Sequence, residues 1–212
     1  MDTRTGNDTA SSRPTRMTDP DLSQEVLDRL PALDPGALTA FYEAYFDRIY
    51  GYVRRMVGKD HLAEDLTQDI FLHLHQAFVS YDSSRKLAPW VFTIATNKVR
   101  DYWRSKSHKT VQREVTIDEE ERKHWAVSKL PTPAKNLETK ELSEQIAAAV
   151  DELPEGMRTT LILRYFEQMS FEAIGRIVDR NETAVRKRYS RALEELRKRL
   201  DGTLGIQGGG TA

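Results

Sequence analysis

Phe171-Glu172-Ala173-Ile174-Gly175-Arg176-Ile177-Val178, then Asp179-Arg180-Asn181, then a basic run from Glu182 to about Leu200 is the stretch that decides the fold. The first piece is a short amphipathic helix, and Ser170 stands where an N-cap belongs. The second is a three-residue turn. The third is a longer helix with Ala184, Val185, Ala192, Leu193, Leu196 and Leu200 as its apolar members. A short helix, a tight turn and a longer basic helix make a helix-turn-helix. Two helices that cross closely need a small residue at the contact, and Gly175 supplies it. Ile174, Val178 and Val185 form the wedge between them. The polar face of the last helix carries Arg186, Lys187, Ser190 and Arg191 near its start, where a recognition helix meets base edges and phosphates.

The rest of the 212-residue chain reads as helix too. Asp34-Pro35 combines an N-cap with proline at the first helical position. Leu38, Phe41, Tyr45, Ile49, Tyr52 and Met56 follow at steps of three and four, and Gly58 is a stop. A second helix near Asp60 aligns Leu62, Leu66, Ile70, Leu74, Ala77 and Phe78. After the polar loop 80–86, Pro89 opens a third with Trp90, Val91, Ile94, Ala95, Val99 and Tyr102. Leu142, Ile146, Ala149 and Val150 mark a helix ended by Leu153-Pro154, and Met157, Leu161, Ile162, Tyr165 and Phe166 mark the next. The expected fold is all-α, with two small helical domains joined by a flexible linker, and the length suffices for two small cores. The expected boundaries are a disordered tail 1–21, a first domain 22–107, a linker 108–136 with a possible helical turn around Trp125, a second domain 137–201 and a flexible tail 202–212.

Composition excludes several classes. The sequence has no cysteine, so disulfides and thiolate metal sites are absent, which is compatible with a reducing cytoplasm. His73 and His75 at i,i+2 do not share a helix face, so no metal pair is expected there. No apolar run is long enough to span a bilayer and no secretory signal is present, so neither membrane insertion nor export is expected. There is no glycine-rich phosphate loop and no triad order, so neither an enzyme nor a cofactor is expected. The net charge of −1 conceals segregation. Residues 98–113 hold six basic side chains against Asp101, an acidic tract follows with Asp118, Glu119, Glu120 and Glu121, and residues 180–199 hold eight basic side chains against three acidic ones. Two separated basic patches suit a protein that touches a polyanion at two places; solvated helix faces would give the same count.

Leu153-Pro154-Glu155-Gly156-Met157-Arg158, Met169-Ser170-Phe171-Glu172-Ala173-Ile174-Gly175 and Thr183-Ala184-Val185-Arg186-Lys187-Arg188 together resemble the C-terminal domain of extracytoplasmic-function sigma factors, which reads the −35 promoter element. The resemblance implies that Arg186, Lys187 and Ser190 lie near bases and Arg188 and Arg191 near phosphates. Two positions depart from the family pattern: Asp179 stands where glycine is usual in the turn, and Thr183 where glycine often precedes the valine. Ala63-Glu64-Asp65-Leu66-Thr67-Gln68-Asp69-Ile70-Phe71 resembles the family's segment that docks on the clamp coiled coil of the largest polymerase subunit. On a helix Asp65, Gln68, Asp69 and Leu72 are neighbours by i+3 and i+4. Lys86 through Arg104 resembles the segment that melts and reads the −10 element. There the loop from Tyr81 to Lys86 would hold a flipped base with Tyr81 as candidate stacking residue, Asn97 would read a base edge, and Lys98, Arg100 and Arg104 would hold phosphates.

The resemblance spans residues 22–200 and implies a non-enzymatic, cytoplasmic initiation factor with core RNA polymerase, promoter DNA and an anti-sigma protein as partners. Some family members are switched by phosphorylation beside the docking segment; here Thr67 sits between Asp65 and Asp69, whose carboxylates already supply the charge. A conventional helix-turn-helix regulator that binds duplex DNA without polymerase is the alternative. It explains residues 137–200 but leaves the −10 and docking segments without a purpose.

Overall fold

The computed structural model describes the backbone of residues 22–112 and 145–204 and the side chains of 22–105 and 145–201. Every element among the described residues is helical. Helix α1 (Gln24–Arg29) leads through a 3-10 turn (Leu30–Ala32) into α2 (Pro35–Val57), followed by α3 (Asp60–Phe78) and α4 (Leu87–Gln112). A helical stretch over 145–151, here α5, precedes α6 (Glu155–Tyr165), α7 (Phe171–Val178) and α8 (Glu182–Leu204). The expected linker at 108–136, its turn at Trp125 and the expected tail 1–21 lie wholly or largely outside the described residues. At two edges the helices run longer than the sequence reading gives: α4 continues to Gln112 and α8 to Leu204.

Local chemistry sets the ends. Asp34 Oδ1 accepts from the Ala37 amide at 2.9 Å, and Pro35 fills the first position of α2, where no amide is needed. Gly58 closes α2 in the left-handed region at φ 74°. Ser170 Oγ accepts from the Ala173 amide at 3.1 Å and starts α7, as its position in the sequence predicts. Asp179, the residue that replaces the usual glycine, ends α7 in the left-handed region at φ 53°, ψ 57°. That backbone costs any residue with a Cβ about 1 kcal/mol, and aspartate tolerates it better than most. Asp179→Gly is therefore expected to raise stability by about 0.5–1 kcal/mol, measured as an increase in the thermal midpoint; a lowered midpoint would contradict this account of the turn.

The inner faces of α2, α3 and α4 follow the periodicity: Phe41, Tyr45, Ile49, Tyr52, Met56, Ile70, Leu74, Phe78, Val91, Ala95 and Val99 are buried. Three positions expected to face inward are exposed instead, Ile146, Tyr165 and Leu193. On α8 the buried stripe passes through Val185 and Ala192, one position before Leu193, at a spacing of two helical turns.

The two helical domains share most of one buried cluster. Ile162, Leu163, Met169, Ala173, Ile174, Ile177, Val178 and Val185 belong to the same continuous cluster as the buried residues of α2, α3 and α4. Among the described residues, Val150, Leu153, Leu161 and Ala192 form a separate small cluster. Helix α6 packs on α2, and α7 packs along α4. Periodicity gives each helix an inner face and leaves open which half of the chain it meets.

Candidate nucleic-acid and polymerase interfaces

Asn181 Oδ1 accepts from the Ala184 amide at 2.8 Å and begins α8. Arg186, Lys187, Ser190 and Arg191 are all exposed and share one face by i+1, i+4 and i+5. Arg186 is braced there: Nη2 lies 2.5 Å from Glu182 Oε1, and its guanidinium stacks 4.7 Å from the Phe171 ring centroid. An arginine held this way loses less side-chain freedom when it engages a base edge or phosphate. Arg188 does not join this face. It stands three residues from Val185 and four from Ala192, both buried, and its guanidinium lies along the start of α6, where a Cβ on Gly156 would come within 3.3 Å of it.

On α4, Asn97 is exposed and its Oδ1 accepts from Arg100 Nη1 at 3.4 Å. Lys98 and Arg100 are half-buried; Arg104 is exposed and pairs with Asp101 at 3.4 Å. Arg100 Nε also lies 3.7 Å from Glu155 Oε1 at the start of α6. Asn97, Arg100 and Arg104 thus fall along one side of a single helix, while Lys98, two residues before Arg100, lies off that side. The loop before it is a built turn. Asp82 Oδ1 accepts from the Ser84 hydroxyl at 2.6 Å and its amide at 3.1 Å, while Oδ2 accepts from Arg85 at 3.1 Å. The Ser84 hydroxyl and amide, with Arg85 beside them, hold the Asp82 carboxyl below its ordinary range. Gln24 on α1 donates to the Ser83 carbonyl at 3.1 Å, a support the sequence does not reveal. Lys86 is exposed at the loop's end.

Tyr81 does not present its ring to that loop's outer surface. It is 4% exposed, packed 4.8 Å from the Trp90 ring and 6.2 Å from the Phe78 ring, and its hydroxyl donates to the Arg85 carbonyl at 2.7 Å. Burial pushes its phenol pKa up. In this structure Tyr81 anchors the loop from below, and stacking on a base would require its ring to leave the space beside Trp90. An aromatic residue at a helix-to-loop junction satisfies the core and the loop equally well on paper, and here the space beside Trp90 takes it.

On α3, Asp65, Gln68, Asp69 and Leu72 are exposed in one line, Leu72 to 65%. Thr67 points the other way and is buried, with no hydrogen-bond partner for its hydroxyl, so it is not presented for phosphorylation in this conformation. Beside the line lies a cleft of about 590 Å³ walled by Tyr42, Phe46, Tyr50, Phe71, Gln68 and Leu72. Its rings are close, with Tyr42 and Phe71 centroids 5.0 Å apart and Phe46 and Phe71 6.0 Å apart. The sequence reading missed this wall, although Tyr42, Phe46 and Tyr50 recur at i+4 as a second stripe on α2. Among the described residues, no three histidine, aspartate or glutamate side chains converge as a metal site, and no helix is long and apolar enough to cross a membrane.

These faces coincide with two family matches, sigma-70 region 2 over residues 41–109 and sigma-70 region 4 over residues 143–196. The ECF RNA polymerase sigma factor SigW of Bacillus subtilis is 31% identical over 169 residues, covering 79% of this chain and 90% of its own. The chain belongs to the ECF sigma factors. SigM of the same organism is 31% identical over 156 residues, 74% of this chain and 90% of its own. Among solved structures, CnrH in complex with the cytosolic domain of CnrY matches with TM-score 0.63 at 18% identity, covering 84% of this chain and 97% of CnrH. RpoE in complex with the anti-sigma factor NepR from Bartonella quintana matches with TM-score 0.60 at 22% identity, covering 84% and 95%. At those identities the likeness concerns the fold. Membership in the ECF sigma family makes this protein a polymerase-associated, promoter-specific initiation factor, and proteins of that class are generally not enzymes.

Proposed function

We propose that this sigma factor docks on the clamp coiled coil of core RNA polymerase through Asp65, Gln68, Asp69 and Leu72 on α3. It reads −35 duplex DNA with Arg186, Lys187, Ser190 and Arg191 on α8. It melts and reads −10 DNA with Asn97, Lys98, Arg100 and Arg104 on α4, assisted by Lys86. Arg188 and Tyr81 act structurally in this scheme. The domains are 22–107 and 137–201, tethered by 108–136, so that each weak DNA contact raises the effective concentration of the other. The protein works in the cytoplasm, without catalysis of its own. An anti-sigma partner covers the polymerase-facing surface, by analogy with the RpoE–NepR complex.

The observation that carries the reading is the exposed line on α3: two carboxylates, an amide and an uncovered leucine beside an aromatic cleft. Acidic groups around an apolar anchor suit a basic helical partner. The Asp65→Lys/Asp69→Lys double variant reverses the charge without touching the buried side of α3. It is expected to weaken binding to bacterial core polymerase by roughly 30-fold or more, about 2 kcal/mol, while leaving thermal unfolding within ~0.5 kcal/mol of wild type. Co-elution with core on size exclusion and a fluorescence titration measure this. Wild type that shifts duplex DNA but ignores core would instead establish the conventional regulator.

A further inference from the structure

The three cations on the exposed face of α8 are not held alike. Among the described residues, the side chains of Lys187 and Arg191 make no hydrogen bond, ion pair or ring contact. Arg186 is fixed on two sides. Its Nε and Nη2 lie 3.1 and 2.5 Å from Glu182 Oε1, and its guanidinium carbon is 4.7 Å from the Phe171 ring centroid. The ring is fixed in turn. The guanidinium of Arg164, on α6, lies 4.7 Å from the same centroid and donates from Nη1 to the Met169 carbonyl at 2.7 Å. Tyr189, one turn along α8, packs against Phe171 at 5.5 Å with the ring planes 61° apart. Three helices, α6, α7 and α8, converge on the position of one guanidinium.

This convergence exceeds what packing asks for. A leucine at position 171 would fill the space against Tyr189, whereas only a ring offers a guanidinium an electron-rich face. Glu182 is exposed, where an i,i+4 ion pair adds little to stability. What the two residues set is direction. Glu182 takes the Nε side of the guanidinium and Phe171 backs it, so Nη1 and the outer side of Nη2 remain as a two-pronged edge. Two coplanar N–H donors suit a bidentate contact with one base edge, whereas a phosphate accepts a cation from many angles. Unheld cations such as Lys187 and Arg191 supply charge that any phosphate can use; a held fork selects.

We propose that Phe171 and Glu182 are positioning residues for sequence selection in the −35 element, acting through Arg186 by holding its fork toward one base pair. The proposal rests on the reading of α8 as the −35 helix. Neither residue needs to touch DNA for this. Two adjacent acceptors on one base edge match the fork, the arrangement that guanine presents in the major groove.

The test uses holoenzyme assembled from the full-length protein and bacterial core polymerase, on promoter templates randomised across the upstream element. Template preference is read by sequencing the transcribed pool. Arg186→Ala identifies the position that Arg186 reads, as the one whose preference it abolishes. Phe171→Leu and Glu182→Ala are each expected to lower discrimination at that position by about fivefold or more, with the preferences elsewhere kept. Phe171→Leu retains every charge, so the salt dependence of promoter binding is expected to match wild type. Phe171→Tyr keeps the ring face and is expected to keep the preference. In the Arg186→Ala background neither change has a further effect at that position. Preference retained by Phe171→Leu or by Glu182→Ala overturns that residue's role, and a loss spread evenly over all positions, the mark of a weakened fold, does the same. Glu182→Ala alters an exposed side chain, so it carries the test where Phe171→Leu folds poorly. Stronger transcription from every template with Glu182→Ala, at unchanged preference, makes Glu182 a competitor of DNA and overturns its positioning role. Preferences that all survive Arg186→Ala overturn the reading of Arg186 itself, a result seen before either positioning residue is changed.

Discussion

Gly175→Ala is expected to destabilise the protein by about 3 kcal/mol. The helix-turn-helix wedge is tightest at this residue: a Cβ built there would lie 2.5 Å from the Arg180 carbonyl oxygen and 3.7 Å from the Glu182 amide nitrogen. The obstacle is backbone, so no side-chain rotation relieves it. The turn cannot retreat easily either, because the Arg180 amide donates to the Gly175 carbonyl at 2.9 Å and Asn181 caps α8 immediately afterwards. Relief requires α7 and α8 to move apart, uncovering Ile174, Val178 and Val185. Denaturant titration followed at a helical wavelength measures the loss. A cost below ~0.5 kcal/mol would mean that the two helices pack less closely than described.

Tyr81→Ala is expected to cost about 3–4 kcal/mol, because it removes a buried ring that fills the space between Phe78 and Trp90. Tyr81→Phe keeps the ring and gives up the hydroxyl bond to the Arg85 carbonyl, so about 1 kcal/mol is lost. The two variants separate the structural role from the nucleic-acid role suggested by the resemblance. A side chain that stacks on an extruded base would leave the unfolding midpoint of Tyr81→Ala unchanged and affect only promoter melting. A normal midpoint with defective melting would return Tyr81 to the −10 site.

Much of the fold was legible where chemistry is local. Asp34-Pro35 and Gly58 fix the ends of α2, and Ser170 fixes the start of α7, because caps are satisfied by atoms within a few residues. Ile174, Val178 and Val185 could be assigned to the wedge because two short helices joined by three residues have few ways to pack. The exposed faces of α3 and the first half of α8 followed from the same spacing. The resemblance groups Arg188 with the phosphate contacts, whereas its separation from Val185 and Ala192 marks it as lying at the edge of the buried stripe. Tyr81 was beyond periodicity, since a loop has no repeat to say which way a ring points. Glu167 was beyond it for another reason. Its partner Arg48 is 119 residues away, and a glutamate in a turn carries no local sign that another helix will bury it. The buried cluster shared by the two halves has the same origin: which inner faces meet is a long-range property, and the separate family matches to the two halves do not contain it.

The most direct test of the central claim is transcription by bacterial core polymerase on a pool of templates with randomised upstream sequence, followed by sequencing of the transcripts and their templates. With the wild-type protein, transcripts are predicted to start downstream of one enriched pair of motifs at −35 and −10. An alanine variant of Arg186 and Lys187 should relax the upstream motif, and one of Asn97 the downstream motif. Core-dependent transcripts with no enriched motif, or none above the level of core alone, would contradict the assignment of this chain as a promoter-reading initiation factor.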